Sequence, residues 1–265
     1  MTMYGQAQIV TKKMKLEDFP EKITKIVLPG NIFLDGAIME DIQTRWRISP
    51  FEFCSLKEFE TLKTNPDYYF LLTVTGKFRK ETEPGLMMLS LVKGGENASK
   101  GIDKMLEVVT IPVCPTEYPS GRELNFLPAF IDIIQEHVLA SMAKNLDAYA
   151  GLSNYTLNIA SSKDKKIVFG ENDIFNGNTP EIREMIPSDR VSIMPEEDAD
   201  ELLLNNAPNT LVSYVVAPHE AAQGSYCYKM LIDCETHKLY YFRRHRISKK
   251  YGAGFLAEDL MKIIY

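Results

Sequence analysis

Two stretches of this 265-residue chain run through the same order of predicted elements: strand, helix, strand, helix, three strands, helix. The first covers about Ile23–Asn145 and the second about Lys165–Tyr265. A strand–helix–strand link implies a right-handed parallel crossover, while strands joined by shorter loops imply antiparallel pairing. The expected fold class is therefore α/β of mixed α+β character. Two tandem units are expected, residues 1–150 and 151–265, each a mixed sheet in two or three layers with the order β-α-β-α-β-β-β-α. Laying Ile26 on Ile167 also lays Leu71 on Val212, but identity across that alignment is negligible. The repeat lives in element order, and it raises internal duplication as an expectation.

In the first unit, Ile23–Leu28 is β-branched and alternating and ends at Pro29-Gly30-Asn31, so it reads as a strand and turn. Leu34, Ile38, Ile42 and Trp46 recur every four residues on one helix face. Arg47–Phe53 reads as extended, because Ser49 precedes Pro50. Ser55 with Glu58 predicts a capping box for a helix over Leu56–Lys63, stopped by Asn65-Pro66-Asp67. Tyr69–Val74 is nearly all apolar, as a central strand covered on both faces requires. Leu86–Val92 and Leu106–Val113 follow as strands around a polar, glycine-rich loop, Lys93–Lys104. Ser120 and Glu123 predict a second capping box, opening a helix over Leu124–Asn145 with Pro128 near its start.

The second unit offers strands at Ile167–Phe169, Val191–Met194 and Thr210–Val216, then a hairpin of Ser225–Asp233 and Lys238–Ile247 around Cys234–His237. Thr179-Pro180-Glu181 predicts a capped short helix, Pro195–Asp198 loads acids onto the start of another, and Phe255–Ile264 predicts a closing one. Ala148–Asp164 reads as the linker, and alternation over Gln8–Lys15 suggests an extra edge strand.

The net charge of −6 argues against nucleic acid as the main partner. No apolar run approaches the roughly 20 residues of a bilayer span. Met1–Gln8 lacks the basic start and apolar stretch of a signal peptide, yet Gly5–Gln8 has the small-residue character of a cleavage region. A cytoplasmic start and a processed, exported chain both stay open. Cys54, Cys114, Cys227 and Cys234 are too scattered for a disulfide framework, and with no CxxC or companion His pair they suggest no zinc site. Small buried residues are the expectation. No metal, cofactor or catalytic signature stands out.

Ligands in open α/β sheets tend to sit beyond the carboxyl ends of parallel strands. That points to the loops Pro29–Phe33, Thr75–Phe78, Gly170–Phe175 and Pro218–Gly224, with Asn31, Asn172, Asp173, His219 and Glu220 as candidate ligand-binding residues. A His beside carboxylates supports acid–base work or small-molecule binding. The plainer reading makes His219 a loop residue beside a turn proline. The loop Gly94–Gly101 lacks the strand–loop–helix order a phosphate site needs and reads as a mobile surface loop. His137 and His237 have no partner at ligand spacing. The run Arg243–Arg246 with Lys249 and Lys250 follows Tyr240-Tyr241-Phe242, which allows stacking plus charge on single strands. Alternation, however, sends Arg243 and His245 one way and Arg244 and Arg246 the other. A solvated edge strand that resists aggregation is the favoured reading. Tyr240, Phe242, Arg244 and Arg246 are the candidate interaction edge.

Thr44–Cys54 (TRWRISPFEFC), Tyr68–Leu72 (YYFLL), Leu106–Pro112 (LEVVTIP), Thr210–Pro218 (TLVSYVVAP), Ser225–Asp233 (SYCYKMLID) and Gly252–Leu256 (GAGFL) resemble a family of uncharacterised proteins from Bacteroidales-type Gram-negative bacteria. The resemblance covers most of the chain, implies export, and carries no activity or functional residue across. In element order each unit also resembles the small α/β domain of envelope proteins such as the N-terminal domain of the Tol translocation β-propeller protein and the curli secretion lipoprotein, an analogy of fold alone. The resulting expectation is a non-enzymatic periplasmic module that binds an unknown envelope protein. The alternative is a small-molecule binder or cryptic enzyme using the crevice.

Overall fold

A computed structural model describes residues 4–6, 16–77, 85–143, 151–177, 179–186 and 189–265. The chain divides into two compact units, Met1–Leu152 and Ser153–Tyr265. Of the segment Met1–Leu16 expected to add a strand, Tyr4–Gln6 forms one, while the alternating Gln8–Lys15 lies outside the described residues.

Unit one contains β1 (Tyr4–Gln6), β2 (Ile23–Leu28), α1 (Ile32–Arg45), β3 (Phe51–Ser55), α2 (Leu56–Leu62), β4 (Tyr68–Lys77), β5 (Leu86–Lys93), β6 (Leu106–Pro115) and α3 (Arg122–Ala143). Its sheet runs β3-β2-β4-β5-β6, with β2 parallel to β3 and β4 and with β5 antiparallel to β4 and β6. Short β1 lies parallel to β4 at Thr75–Lys77, past the point where β2 stops pairing at Leu71.

A 3-10 stretch, Gly151–Ser161, leads into β7 (Lys166–Gly170), α4 (Pro180–Met185), β8 (Val191–Met194), α5 (Glu196–Leu204), β9 (Thr210–Val216), β10 (Tyr226–Asp233), β11 (Leu239–Arg246) and α6 (Ala257–Ile264). The second sheet runs β8-β7-β9-β10-β11, parallel at β8-β7-β9 and antiparallel from β9 onward. Starting from β2 in one sheet and β7 in the other, both read 2-1-3-4-5 with the same strand directions. The mixed α/β class and the tandem pair of similar sheets are thus direct features of the structure.

Burial explains the central strands. Tyr69, Phe70, Leu71 and Leu72 are all buried, as are Leu211, Val212, Ser213 and Tyr214, so both sheets are covered on both sides at their centres. Phe59 of α2 meets Phe70 edge-on at 5.0 Å, while Phe19 meets the neighbouring Tyr69 at 4.6 Å. Helix α1 packs on α3 and α4 on α6, whereas α2 lies against β2 and β3 and α5 against β7 and β9. Helix α3 is long and apolar enough by composition to cross a membrane, yet most of it is buried. Phe126, Leu127, Phe130, Ile131, Ile134 and Val138 supply that buried surface.

Local expectations divide instructively. The Ser55–Glu58 capping box forms both of its bonds. At α3, Ser120 and Glu123 do not close one: Glu123 accepts from Gly121 N–H and Ser120 from Arg122 N–H. Thr179 occupies the N-cap of α4 without a side-chain bond. Phe255 is not helical. It bridges to Ile174, and α6 starts two residues later, at Ala257. The loop Lys93–Lys104 is not a free excursion: Ala98 and Ile102 are buried, and Gly94 N–H and Gly95 N–H bond to Tyr68 O and Lys63 O. A Cβ on Gly94 would lie 2.2 Å from Asn65 O, so only glycine fits there. Within the expected linker, Gly151–Ser161 is ordered 3-10 structure.

Candidate functional site

The expected crevice residues differ in burial and in role. Asn31 is the N-cap of α1, accepting from Phe33 N–H (3.1 Å) and Leu34 N–H (3.2 Å), and Gly30 N–H bonds to Asp35 in the same turn. Its job is to satisfy free helix amides. Thr75–Lys77 continue β4 rather than forming a loop, and Phe78 is outside the described residues. Asn172 is exposed, whereas Asp173 is buried and accepts from Ser213 Oγ at 2.5 Å. Ser213 Oγ in turn accepts from Gly170 N–H at 2.9 Å. His219 and Glu220 are both exposed, beyond the end of β9. The burial that a reactive crevice requires therefore falls on Asp173 alone.

Sequence reasoning missed a buried polar cluster beside Gly252–Leu256. Residues 227, 229, 243 and 245 share one face, with Cys227 opposite His245 and Lys229 opposite Arg243. Lys229 and Asp259 are 1% exposed side chains that form a direct ion pair. The same carboxylate accepts from Tyr241 OH at 2.6 Å and Leu256 N–H at 2.9 Å, with Arg243 Nη1 at 3.5 Å. Burial pushes the Asp259 pKa up, but the Lys229 charge and these hydrogen bonds outweigh it and hold the carboxyl below the ordinary range. Burial, then the charge of Lys229, lowers the pKa of His245, so the ring is neutral at pH 7. Its Nε2–H donates to Gly252 O at 2.8 Å, since a carbonyl can only accept. Gly254 N–H reaches Cys227 Sγ at 3.2 Å. The arrangement ties the loop before α6 to two strands. The legible signal was Lys229 amid the apolar run of β10, a charge that burial obliges to find a partner.

All four cysteines are buried free thiols. Burial pushes Cys54 and Cys227 to about 11 and Cys114 and Cys234 to about 12, which leaves them protonated and unreactive at neutral pH. No group of His, Cys, Asp and Glu fit to hold a metal occurs among the described residues.

The interaction edge divides in two. Tyr240 and Phe242 are buried, so they present no surface. Tyr240 sits at a bulge, where pairing shifts between Leu231 and Ile232, and joins the core beside Tyr241. Arg244 and Arg246 are exposed. Both guanidiniums lie over the Tyr226 ring, 4.8 and 5.3 Å from its centroid, and Arg246 Nε donates to Tyr226 OH at 3.0 Å. Arg243 turns the other way, to Asp259, as alternation requires.

The outer rim of β11 is partly covered. Thr156 Oγ1 donates to Phe242 O (2.6 Å) and accepts from Phe242 N–H (3.2 Å), and Asn158 Nδ2 donates to Leu239 O at 2.8 Å. These side chains from the 3-10 stretch stand where a neighbouring strand would. Phe242 therefore points its amide and carbonyl away from β10. Antiparallel alternation gives Arg244 and Arg246 the same outward parity.

No protein-family model matches this sequence, and comparison with curated proteins and with solved structures gives no match either.

Proposed function

We propose that this chain is a non-enzymatic protein-binding module of the cell envelope, in which two α/β units of one ancestral design stand in tandem. The observation that carries the reading is the pair of exposed arginines on Tyr226, next to strand-edge groups that the 3-10 stretch leaves open. Stacking holds both guanidiniums in place before a partner arrives, which reduces the entropy lost on binding. Main-chain edge groups beside them suit addition of an extended segment. The polar groups of unit two support the non-enzymatic part, because Asp173 is engaged by Ser213 and Asp259 by Lys229 and Tyr241. The envelope location rests on the resemblance of Thr44–Cys54, Thr210–Pro218 and Ser225–Asp233 to exported proteins.

A photoreactive amino acid placed at Arg246 in the native host, followed by fractionation, tests this. The expected result is one reproducible cross-linked envelope protein, absent when the probe is moved to Lys262 on α6. Cross-linking that is no stronger at 246 than at 262 refutes the interface, and recovery in the cytosolic fraction refutes the location.

A further inference from the structure

The partner's chemistry can be taken further, resting on the reading of β11 as the binding edge. We infer that β11 accepts a short extended acidic segment, which pairs with the main chain of Arg244 and Arg246 and presents carboxylates at alternate positions to their guanidiniums.

Three observations combine. First, Thr156 and Asn158 occupy the rim from Leu239 to Phe242, so among the described residues the edge left to an incoming strand is the outward groups of Arg244 and Arg246. Coverage of half the edge sets both the length and the register of what can add. Second, neither arginine has a carboxylate within ion-pair distance among the described residues, although the chain carries 36 Asp and Glu against 30 Lys and Arg. Their companions are the rings and hydroxyls of Tyr226 and Tyr228. Arg243, next along the strand, instead reaches a carboxylate, and that contrast marks Arg244 and Arg246 as directed outward. Third, the two arginines are two residues apart on a strand, so they share a face at the spacing of alternate side chains on an added strand. Nucleic acid fits less well. Two guanidiniums already cover the Tyr226 ring that a base would need, and the chain is net acidic.

The test uses the full chain and a fluorescent seven-residue peptide, Thr-Val-Glu-Val-Glu-Val-Thr, followed by anisotropy. Binding is expected to fall about tenfold in R244E/R246E, from the loss of two exposed charge pairs and the gain of like-charge contacts. It should weaken in 0.5 M salt, and it should vanish when the central valine becomes proline, which removes a ladder amide. Equal binding of the peptide with lysine in place of glutamate, tighter binding of an oligothymidylate, or no binding at millimolar peptide would each overturn the inference. Cross-linking at residue 246 separates this from failure of the underlying reading. A partner captured there through a segment without acidic residues sinks the acidic-strand inference and leaves the edge standing. No capture at 246 sinks both.

Discussion

Replacing Asp259 with asparagine removes the charge that Lys229 depends on while keeping the side chain's shape. Lys229 is held on a strand with 1% of its side chain exposed, so it cannot recover water when its partner is neutralised. Breaking a buried pair in this way costs about 3–5 kcal/mol, most of it the uncompensated charge left behind. Asparagine still accepts one bond from Tyr241 OH or Leu256 N–H, which places the expected loss at the lower end, about 3 kcal/mol. With a urea slope of about 1–3 kcal/mol/M, the unfolding midpoint of unit two drops by roughly 1–3 M. The chain supplies its own reporters. Cys227 and Cys234 are buried in unit two, Cys54 and Cys114 in unit one, and the single tryptophan, Trp46, is buried in unit one. Pulsed thiol labelling across a urea series, read by mass spectrometry, therefore gives a midpoint for each cysteine in one sample. The double variant K229M/D259N should lose less than D259N alone, because no unpaired ammonium remains. A D259N midpoint within about 0.3 M of wild type at Cys227 and Cys234, or a double variant worse than the single, would refute the claim that this pair carries a buried-charge penalty.

Other perturbations follow from the same geometry. T156V removes both hydrogen bonds to Phe242 and should destabilise unit two by about 1 kcal/mol while raising self-association, read by light scattering; an unchanged monomer at high concentration would count against edge protection. G94A drives a Cβ to 2.2 Å from Asn65 O and should lower the urea midpoint at Trp46 by an overpacking cost of about 1–3 kcal/mol; wild-type fluorescence transitions would show the loop is free to shift. His245 has a folded pKa below its unfolded value, near 6.5, so its contribution is present above that pH and is lost as pH falls and the unfolded state takes the proton first. Asp259, also lowered, adds a second loss only as pH falls past the ordinary carboxylate range toward its own pKa. Stability of unit two measured from pH 8 to pH 5 should therefore slope downward, and H245Q should flatten that slope; an unchanged slope would mean His245 is not its source.

The order of elements was legible because each is written in a local code. The all-apolar Tyr69–Val74 announced a strand buried on both faces, and Ser55 with Glu58 announced a helix start. Both signals depend on neighbours a few residues away, so one chain read in isolation carries them. Signals failed where a distant contact won. Phe255 has the spacing of a helix residue, yet its amide and carbonyl pair with Asp173 and Phe175, which lie in a loop far earlier in the chain. Ser120 and Glu123 stand at the spacing of a capping box, but Gly121 between them takes a positive φ, so the helix begins at Arg122, one residue later than a Ser120 cap requires. Tyr240 was misplaced because alternation assumes an unbroken register, and the bulge against β10 turns it inward.

The same distinction bears on the candidate sites. Asp173 and His219 were joined by a rule about where ligands sit in α/β sheets, which concerns loops and is silent on burial. The structure gives them opposite burial, with Asp173 enclosed and His219 exposed. Arg244 and Arg246 were assigned to one face by alternation, which the strand imposes directly, and both guanidiniums lie over Tyr226 while Arg243 turns to Asp259. What alternation could not supply was the covering of Leu239 and Phe242 by Asn158 and Thr156, residues about 80 positions earlier, in a stretch that read as linker. That covering turns an ordinary edge strand into a bounded one. Among the described residues, Thr156 and Asn158 close the first half of β11, and the half they leave uncovered bears the two cations that the proposed acidic strand would meet.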